Sequence, residues 1–230
     1  MMFWPWQLIS KLFNIKFTYE INLKFDVNKI LDEYYIMQEQ LKFKNHFGKH
    51  HDGGWSAIAL YSHDGKSDSL SEKSNVGSKK TEISEYCPYT TNLVEQIKTK
   101  FNCETNRVRF MKLKPGKKIT WHFDHDESIE FGNARLHLPI IVNNDCSSYI
   151  CHYSYKFTVG KIWYGDFSFP HEVSNLGNDE RIHLVVDLKK PEGLFDENID
   201  FEIEERRRRR LKKIIQNFYK IFYLFPKKIF

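Results

Sequence analysis

His122-Phe123-Asp124, with a single His171 following 47 residues after the aspartate, is the residue set of a mononuclear non-haem iron site. Two imidazoles and one carboxylate can occupy one face of an octahedral Fe(II), leaving the opposite face open to an oxidant and a cosubstrate. In an extended strand, residues two apart point to the same side, so His122 and Asp124 can share one metal while Phe123 faces away. The third ligand must come from elsewhere in the fold, and His171 stands ahead of a polar turn that returns into another strand. Asp126 and Glu127 are alternative carboxylates whose spacing from His122 fits strand geometry less well.

Such side chains need strands to hold them, and the surrounding sequence alternates in the way strands do. Arg107 to Leu113 alternates polar and apolar residues, and Lys114-Pro115-Gly116-Lys117 turns the chain into a strand from Ile119 to Asp124. In Arg135-Leu136-His137-Leu138-Pro139-Ile140-Ile141 the period of two sets Arg135 and His137 against Leu136, Leu138 and Ile140. Arg181 to Asp187 repeats that layout, and the turn Ser174 to Asp179 predicts a hairpin joining His171 to Arg181. Upstream, the pattern predicts a helix over Asn22–Lys42, a strand over Trp55–Tyr61, a long polar loop over 62–83 and a helix over Thr91–Phe101. Many short strands with polar residues on an inward face predict a mainly β fold. Its core would be a double-stranded β-helix, jelly-roll or cupin-like, enclosing a polar pocket, with flanking helices.

The 230 residues suit one large domain, taken as 1–205 with its motifs over 107–190, followed by a basic tail over 206–230. That tail holds ten Lys and Arg and no acid, which leaves 25 basic against 30 acidic residues in the body. The basic balance therefore belongs to the tail and says nothing about the pocket. Leu211, Ile214, Ile215, Phe218, Phe222 and Phe225 recur there at helical spacing. A basic amphipathic helix of this kind suits an anionic membrane surface or a protein groove better than nucleic acid, and an ordinary surface helix is the plainer reading. Residues 1–15 are apolar, without a basic leader, and packing against the domain is preferred to a membrane-surface anchor. Cys87, Cys103, Cys146 and Cys151 form no CxxC pair, so they are read as reduced thiols of a cytoplasmic protein, with peripheral membrane attachment left open.

Residues 107–190 resemble the aspartyl/asparaginyl β-hydroxylase family of iron(II)- and 2-oxoglutarate-dependent dioxygenases. The matching elements are Leu113-Lys114-Pro115-Gly116, His122-Phe123-Asp124, Arg135-Leu136-His137-Leu138-Pro139, Ser168-Phe169-Pro170-His171-Glu172-Val173 and Arg181 to Asp187. The resemblance implies that His122 and His171 bind iron, that Arg181 pairs with the distal carboxylate of 2-oxoglutarate, and that Arg135 and His137 help to hold this cosubstrate. A guanidinium suits that task because its fork meets a carboxylate bidentately and never loses its charge. Some family members lack the acidic ligand, whereas Asp124 completes the triad here, which favours hydroxylation over halogenation. Met111 stands where the family can supply a serine to the cosubstrate.

Three functions are consistent with these residues. The leading one is a hydroxylase using Fe(II), 2-oxoglutarate and O₂ on an Asp or Asn side chain, a free amino acid or a lipid acyl chain. The others are a non-catalytic cupin-like module that binds a metal or small molecule, and a nucleic-acid-binding protein acting through the tail. No catalytic group beyond the metal centre is assigned, and Trp121, Trp163, His125, His152 and His183 are given structural roles.

Overall fold

Strands that alternate polar and apolar residues need a separate environment for each parity, and the chain provides both. The structure, a computed structural model, describes residues 16–40, 44–45, 52–69, 77–124, 127–194 and 201–219. Two antiparallel sheets face each other. The larger contains β1 (Thr18–Ile21), β2 (Lys44–Asn45), β3 (Trp55–Ser62), β4 (Lys79–Lys80), β5 (Glu104–Leu113), β7 (Asn133–Ile141), β10 (Ile162–Gly165) and β12 (Arg181–Lys189). Its order is β1-β10-β7-β12-β5-β3-β2, with β4 beside β3. The smaller sheet runs β6 (Lys117–His122), β11 (His171–Asn175), β8 (Cys146–Ile150), β9 (Tyr153–Tyr155). This is the jelly-roll architecture expected from the alternation.

The apolar parity of the larger sheet faces outward onto helices. Val108, Phe110, Leu136, Leu138, Leu184 and Val186 share one core with residues of α1 (Val27–Gln40) and α2 (Pro88–Lys100), among them Ile30, Tyr34, Met37, Leu93 and Ile97. Area removed from water there stabilises the fold by about 25 cal/mol per Å². The polar parity, from Arg107 and Arg109 through Arg135 and His137 to Arg181, His183 and Asp187, is left between the sheets. Almost every residue of β7 and β12 is consequently buried.

Local chemistry moves some boundaries from those expected. Asp26 accepts a hydrogen bond from the Asn28 amide (3.0 Å), so α1 starts at Val27, well inside the predicted Asn22–Lys42; Leu41 and Lys42 lie outside the described residues. Helix α2 begins at Pro88, because proline suits a first turn and the Glu33 carboxylate accepts from Thr90 N (2.9 Å) and Oγ1 (2.7 Å). The expected loop over 62–83 contains β4 and runs into a 3₁₀ turn at Glu82–Glu85, while residues 70–76 lie outside the described residues.

The predicted hairpin between His171 and Arg181 does not form. Strand β11 pairs with β6 and β8, whereas β12 pairs with β5 and β7, so the turn after Asn175 carries the chain from one sheet to the other. Alternation gives each strand its faces but does not state its neighbours.

Helix α3 (Phe201–Tyr219) starts upstream of the expected 205/206 boundary and docks on the domain. Leu211 and Ile215 join Phe17, Ile150, Cys151 and Phe169 in a second core. Arg208 pairs with Asp166 (3.0 Å), and Lys212 bridges Glu130 (2.7 Å) and Asp166 (3.0 Å), all with almost fully buried side chains. Gln216 Nε2 donates to the Ser168 carbonyl (3.1 Å), three residues ahead of His171. Residues 1–15 and 220–230 lie outside the described residues, and no helix among those described is long and apolar enough to cross a membrane. Removing a partner from a buried charge cluster costs about 3 kcal/mol or more, so Lys212→Met is expected to lower unfolding stability by that amount. Lys213→Met, on the exposed side of the same turn, is expected to stay within about 0.5 kcal/mol. Urea unfolding of the two variants measures the difference, and equal stabilities would deny α3 its docking.

Candidate metal centre

Two adjacent strands of the smaller sheet bring the histidines together. His122 on β6 and His171 on β11 are register partners, and their rings lie 4.1 Å apart between centroids. Asp124 lies two residues past the end of β6, not within the strand as expected, and its amide donates to the Phe167 carbonyl (2.9 Å). Its Oδ1 is 3.8 Å from His122 Nε2. One ligand atom from each of His122, Asp124 and His171 lies within 4.8 Å of the others.

The backbone fixes which nitrogen each imidazole offers. His122 Nδ1–H donates to the Thr120 carbonyl (2.8 Å) and His171 Nδ1–H to the Phe169 carbonyl (3.0 Å), which leaves each Nε2 lone pair for a cation. Burial pushes the His171 ring down to about 3, so it is neutral and able to ligate. Burial would raise the Asp124 carboxyl, but the Arg135 guanidinium outweighs it and holds the group at about 2. Two imidazoles and one carboxylate therefore converge, the donor set that suits Fe(II).

Behind Asp124 is a buried charge layer on the larger sheet. Asp187 accepts from Arg135 (2.6 and 3.1 Å), Arg107 (3.2 Å) and Arg109 (3.2 Å). Glu127 bridges Arg107 (2.8 Å) and Arg135 (3.1 Å), and Arg135 Nη1 donates to Asp124 Oδ2. Arg135, assigned by resemblance to the cosubstrate, is thus engaged with three carboxylates, one of them in the triad. Glu127 belongs to this layer and not to the ligand cluster, and Asp126 lies outside the described residues.

His137 and Arg181 lie on the other side of an aromatic layer. Phe167 stands between His171 and His137, with centroid distances of 4.9 and 4.7 Å. His137 Nδ1 and His183 Nδ1 are 3.1 Å apart, and Arg181 Nη2 is 3.3 Å from the same His183 nitrogen. Arginine only donates, so His183 Nδ1 accepts, His137 Nδ1–H is the second donor, and the His183 proton sits on Nε2. Burial, then the Arg181 charge, push both rings well below the usual histidine range, and both are neutral. The His183 Nε2–H is buried with no hydrogen-bond partner among the described residues.

Arg181 and His183 line a cavity of about 270 Å³ with Cys146, Ser148, Tyr155 and Phe157. Arg181 is 5% exposed and forms no ion pair among the described residues. Neighbouring Glu180 pairs with Lys112 instead (3.2 Å), so Arg181 does not serve to neutralise the turn. Met111 is the register partner of His183 on β5, so no serine hydroxyl is offered there. Local sequence gives His183 a structural role and Arg107, Arg109 and Asp187 none; the signal for His183 is that Arg181-x-His183 repeats the parity of Arg135-x-His137.

Asp187 is held well below the carboxylate range by its arginines, which outweigh its burial. A depressed folded-state pKa contributes stability in full above the unfolded value, about 4, and the contribution is lost as pH falls below it. Asp187→Asn is expected to cost about 3 kcal/mol at neutral pH and to flatten the acid limb of the stability–pH curve. Urea titrations at several pH values test this; an unchanged acid limb would remove Asp187 from the centre of the layer.

Residues 24–191 match the aspartyl/asparaginyl β-hydroxylase family. L-proline cis-4-hydroxylase of Rhizobium meliloti (strain 1021) is 25% identical over 169 residues, covering 73% of this chain and 59% of that protein. The chain thus spans less than two thirds of that relative's length. A 2OG-Fe(II) oxygenase family oxidoreductase from Burkholderia pseudomallei superposes with TM-score 0.54 at 11% identity, covering 81% of this chain and 92% of the other. The Trichoplax adhaerens prolyl hydroxylase, solved with a hypoxia inducible factor peptide fragment, gives TM-score 0.52 at 10% identity, covering 82% and 94%. These two share the fold.

Proposed function

The chain belongs to the aspartyl/asparaginyl β-hydroxylase family, and on that premise we propose that it is an Fe(II)- and 2-oxoglutarate-dependent hydroxylase acting on a small-molecule or peptide substrate. The observation that carries this reading is Arg181: a buried guanidinium without a carboxylate among the described residues, on a cavity wall one aromatic layer from a His-Asp-His cluster. A buried charge left without a counter-charge is expensive, so the site calls for an anionic ligand.

His122 Nε2, His171 Nε2 and Asp124 Oδ1 would hold the iron. With 2-oxoglutarate and O₂, bound iron supplies the oxidation of an unactivated C–H bond, one oxygen atom entering the product and the other succinate, with release of CO₂. Arg181 would take the distal carboxylate of 2-oxoglutarate, and His183 Nε2–H is a second donor on the same wall. Arg135 holds Asp124 by Oδ2, which turns Oδ1 toward the histidines. Asp124 fills the carboxylate position of the triad, in keeping with hydroxylation and not halogenation. Phe157 and Phe167 line the space between the two polar groups and exclude water from it.

Charge narrows the substrate. Arg107, Arg109, Arg135 and Arg181 face Asp124, Glu127 and Asp187 inside the sandwich, an excess of one positive charge. Fe(II) and the 2-oxoglutarate dianion cancel, so a substrate with one anionic group completes the balance. Arg109 Nε, buried without a partner among the described residues, adds donor capacity there. A peptide with an acidic side chain is such a molecule, whereas L-proline, the substrate in the relative's name, carries an ammonium beside its carboxylate and is neutral overall. A non-catalytic module would share the metal cluster, and turnover separates the two.

Fe(II)-dependent conversion of 2-oxoglutarate to succinate under O₂, screened with free amino acids and acidic peptides, is the test. His171→Ala is expected to abolish it, and Arg181→Ala to raise the 2-oxoglutarate requirement about a hundredfold, the worth of a lost charge-assisted pair. Iron binding without succinate across the panel would favour the binding module.

A further inference from the structure

The hydroxylase reading uses only the inward face of α3. Arg208, Leu211, Lys212 and Ile215 are buried on that face, where Asp166 and Glu130 neutralise the cations. The outward face carries Arg206, Arg209, Arg210, Lys213, Ile214, Asn217 and Phe218, all exposed. Residues 206–219 contain no Asp or Glu. Ile214 is 50% exposed and Phe218, one turn on, 40%. Phe131, 49% exposed, extends the apolar patch beside the helix, with the Arg209 guanidinium 5.8 Å from its ring centre.

From this we infer that the outward face of α3 docks on an anionic phospholipid surface. Charge complementarity is one argument: Arg209 pairs with Glu205, but Arg210 and Lys213 stand exposed on a helix that has no Asp or Glu from residue 206 onward. The apolar row is the other. Phosphates alone would reward the arginines and lysines but not Ile214 or Phe218, whereas a headgroup–acyl boundary accepts both kinds of side chain at one depth. Sequence on either side is apolar, and basic as well after the helix. Residues 220–230 (KIFYLFPKKIF) follow α3, and the apolar stretch 1–15 joins the described fold at Lys16, whose carbonyl accepts from Arg208 Nη2 (2.7 Å). The same helix packs against Ser168 and Phe169, so a membrane held there lies one loop from His171. The surface stands on exposure and charge and does not depend on the hydroxylase reading.

The test is co-sedimentation of the full chain with phosphatidylcholine vesicles, with and without phosphatidylserine. Binding is expected only with phosphatidylserine, and it should weaken as salt rises. Each basic residue near an anionic surface is worth about fivefold in partitioning, so the double variant Arg210→Glu, Lys213→Glu should lose roughly 25-fold or more. Ile214→Ser with Phe218→Ser should lower binding at constant charge, and both double variants should keep the melting temperature of the parent. Failure of the intact chain to bind phosphatidylserine vesicles would overturn the proposal. So would binding that neither double variant alters, or binding to a DNA duplex that exceeds vesicle binding and ignores the apolar substitutions.

Discussion

Burying four arginines between two β-sheets is the constraint on which the rest of the molecule depends. Arg107, Arg109, Arg135 and Arg181 are each largely withdrawn from water, and the ionic cost of that placement is several kcal/mol per charge unless counter-charges are close. Asp187 supplies most of the compensation by accepting from three of the four, and Glu127 and Asp124 supply more. The geometry of Asp124 follows from this layer. Its carboxylate is oriented by Arg135 before any metal arrives, so the charge layer and the triad form one structure. Arg181 alone of the four is left without an acid among the described residues, and it faces a cavity.

The second requirement is that His171 be held in register with His122 although it begins a short strand after a loop. The loop Asp166–Pro170 is bound on several sides. Asp166 pairs with Arg208 and Lys212, the Ser168 carbonyl accepts from Gln216, and the Pro170 carbonyl accepts from the Cys151 amide (2.8 Å). Phe169 packs edge-on against Phe17 (4.8 Å) in the core that α3 closes. Helix α3 thus has a structural role on one side, bracing the loop that leads into His171, and offers a basic, partly apolar surface on the other.

Much of this was legible in the sequence because it rests on short-range periodicity. The His-x-Asp spacing, the two Arg-x-His strands and the Pro-Gly turn all express where adjacent residues point, and the jelly roll follows from their alternation. What depended on long-range pairing was not legible. The turn after Asn175 reads like a hairpin, but whether β11 and β12 are neighbours is decided by β5, β7 and β8, which compete for their edges. Arg135 was expected at the cosubstrate because nothing local reveals that Asp187, 52 residues away, and Asp124 would claim its donors. The helical period of the tail was visible. That Arg208 and Lys212 would turn inward was not, since Glu130 and Asp166 are distant in the chain.

The central claim is that the triad and Arg181 form one site for a metal and a dianionic ligand. Anaerobic titration of the intact protein with Fe(II) and then 2-oxoglutarate, followed by visible absorption, tests it most directly. A weak charge-transfer band should appear only when both are present, vanish in His122→Ala and be reached in Arg181→Ala only at much higher 2-oxoglutarate. Iron-loaded protein that shows no band at any 2-oxoglutarate concentration, or a band indifferent to Arg181, would contradict it.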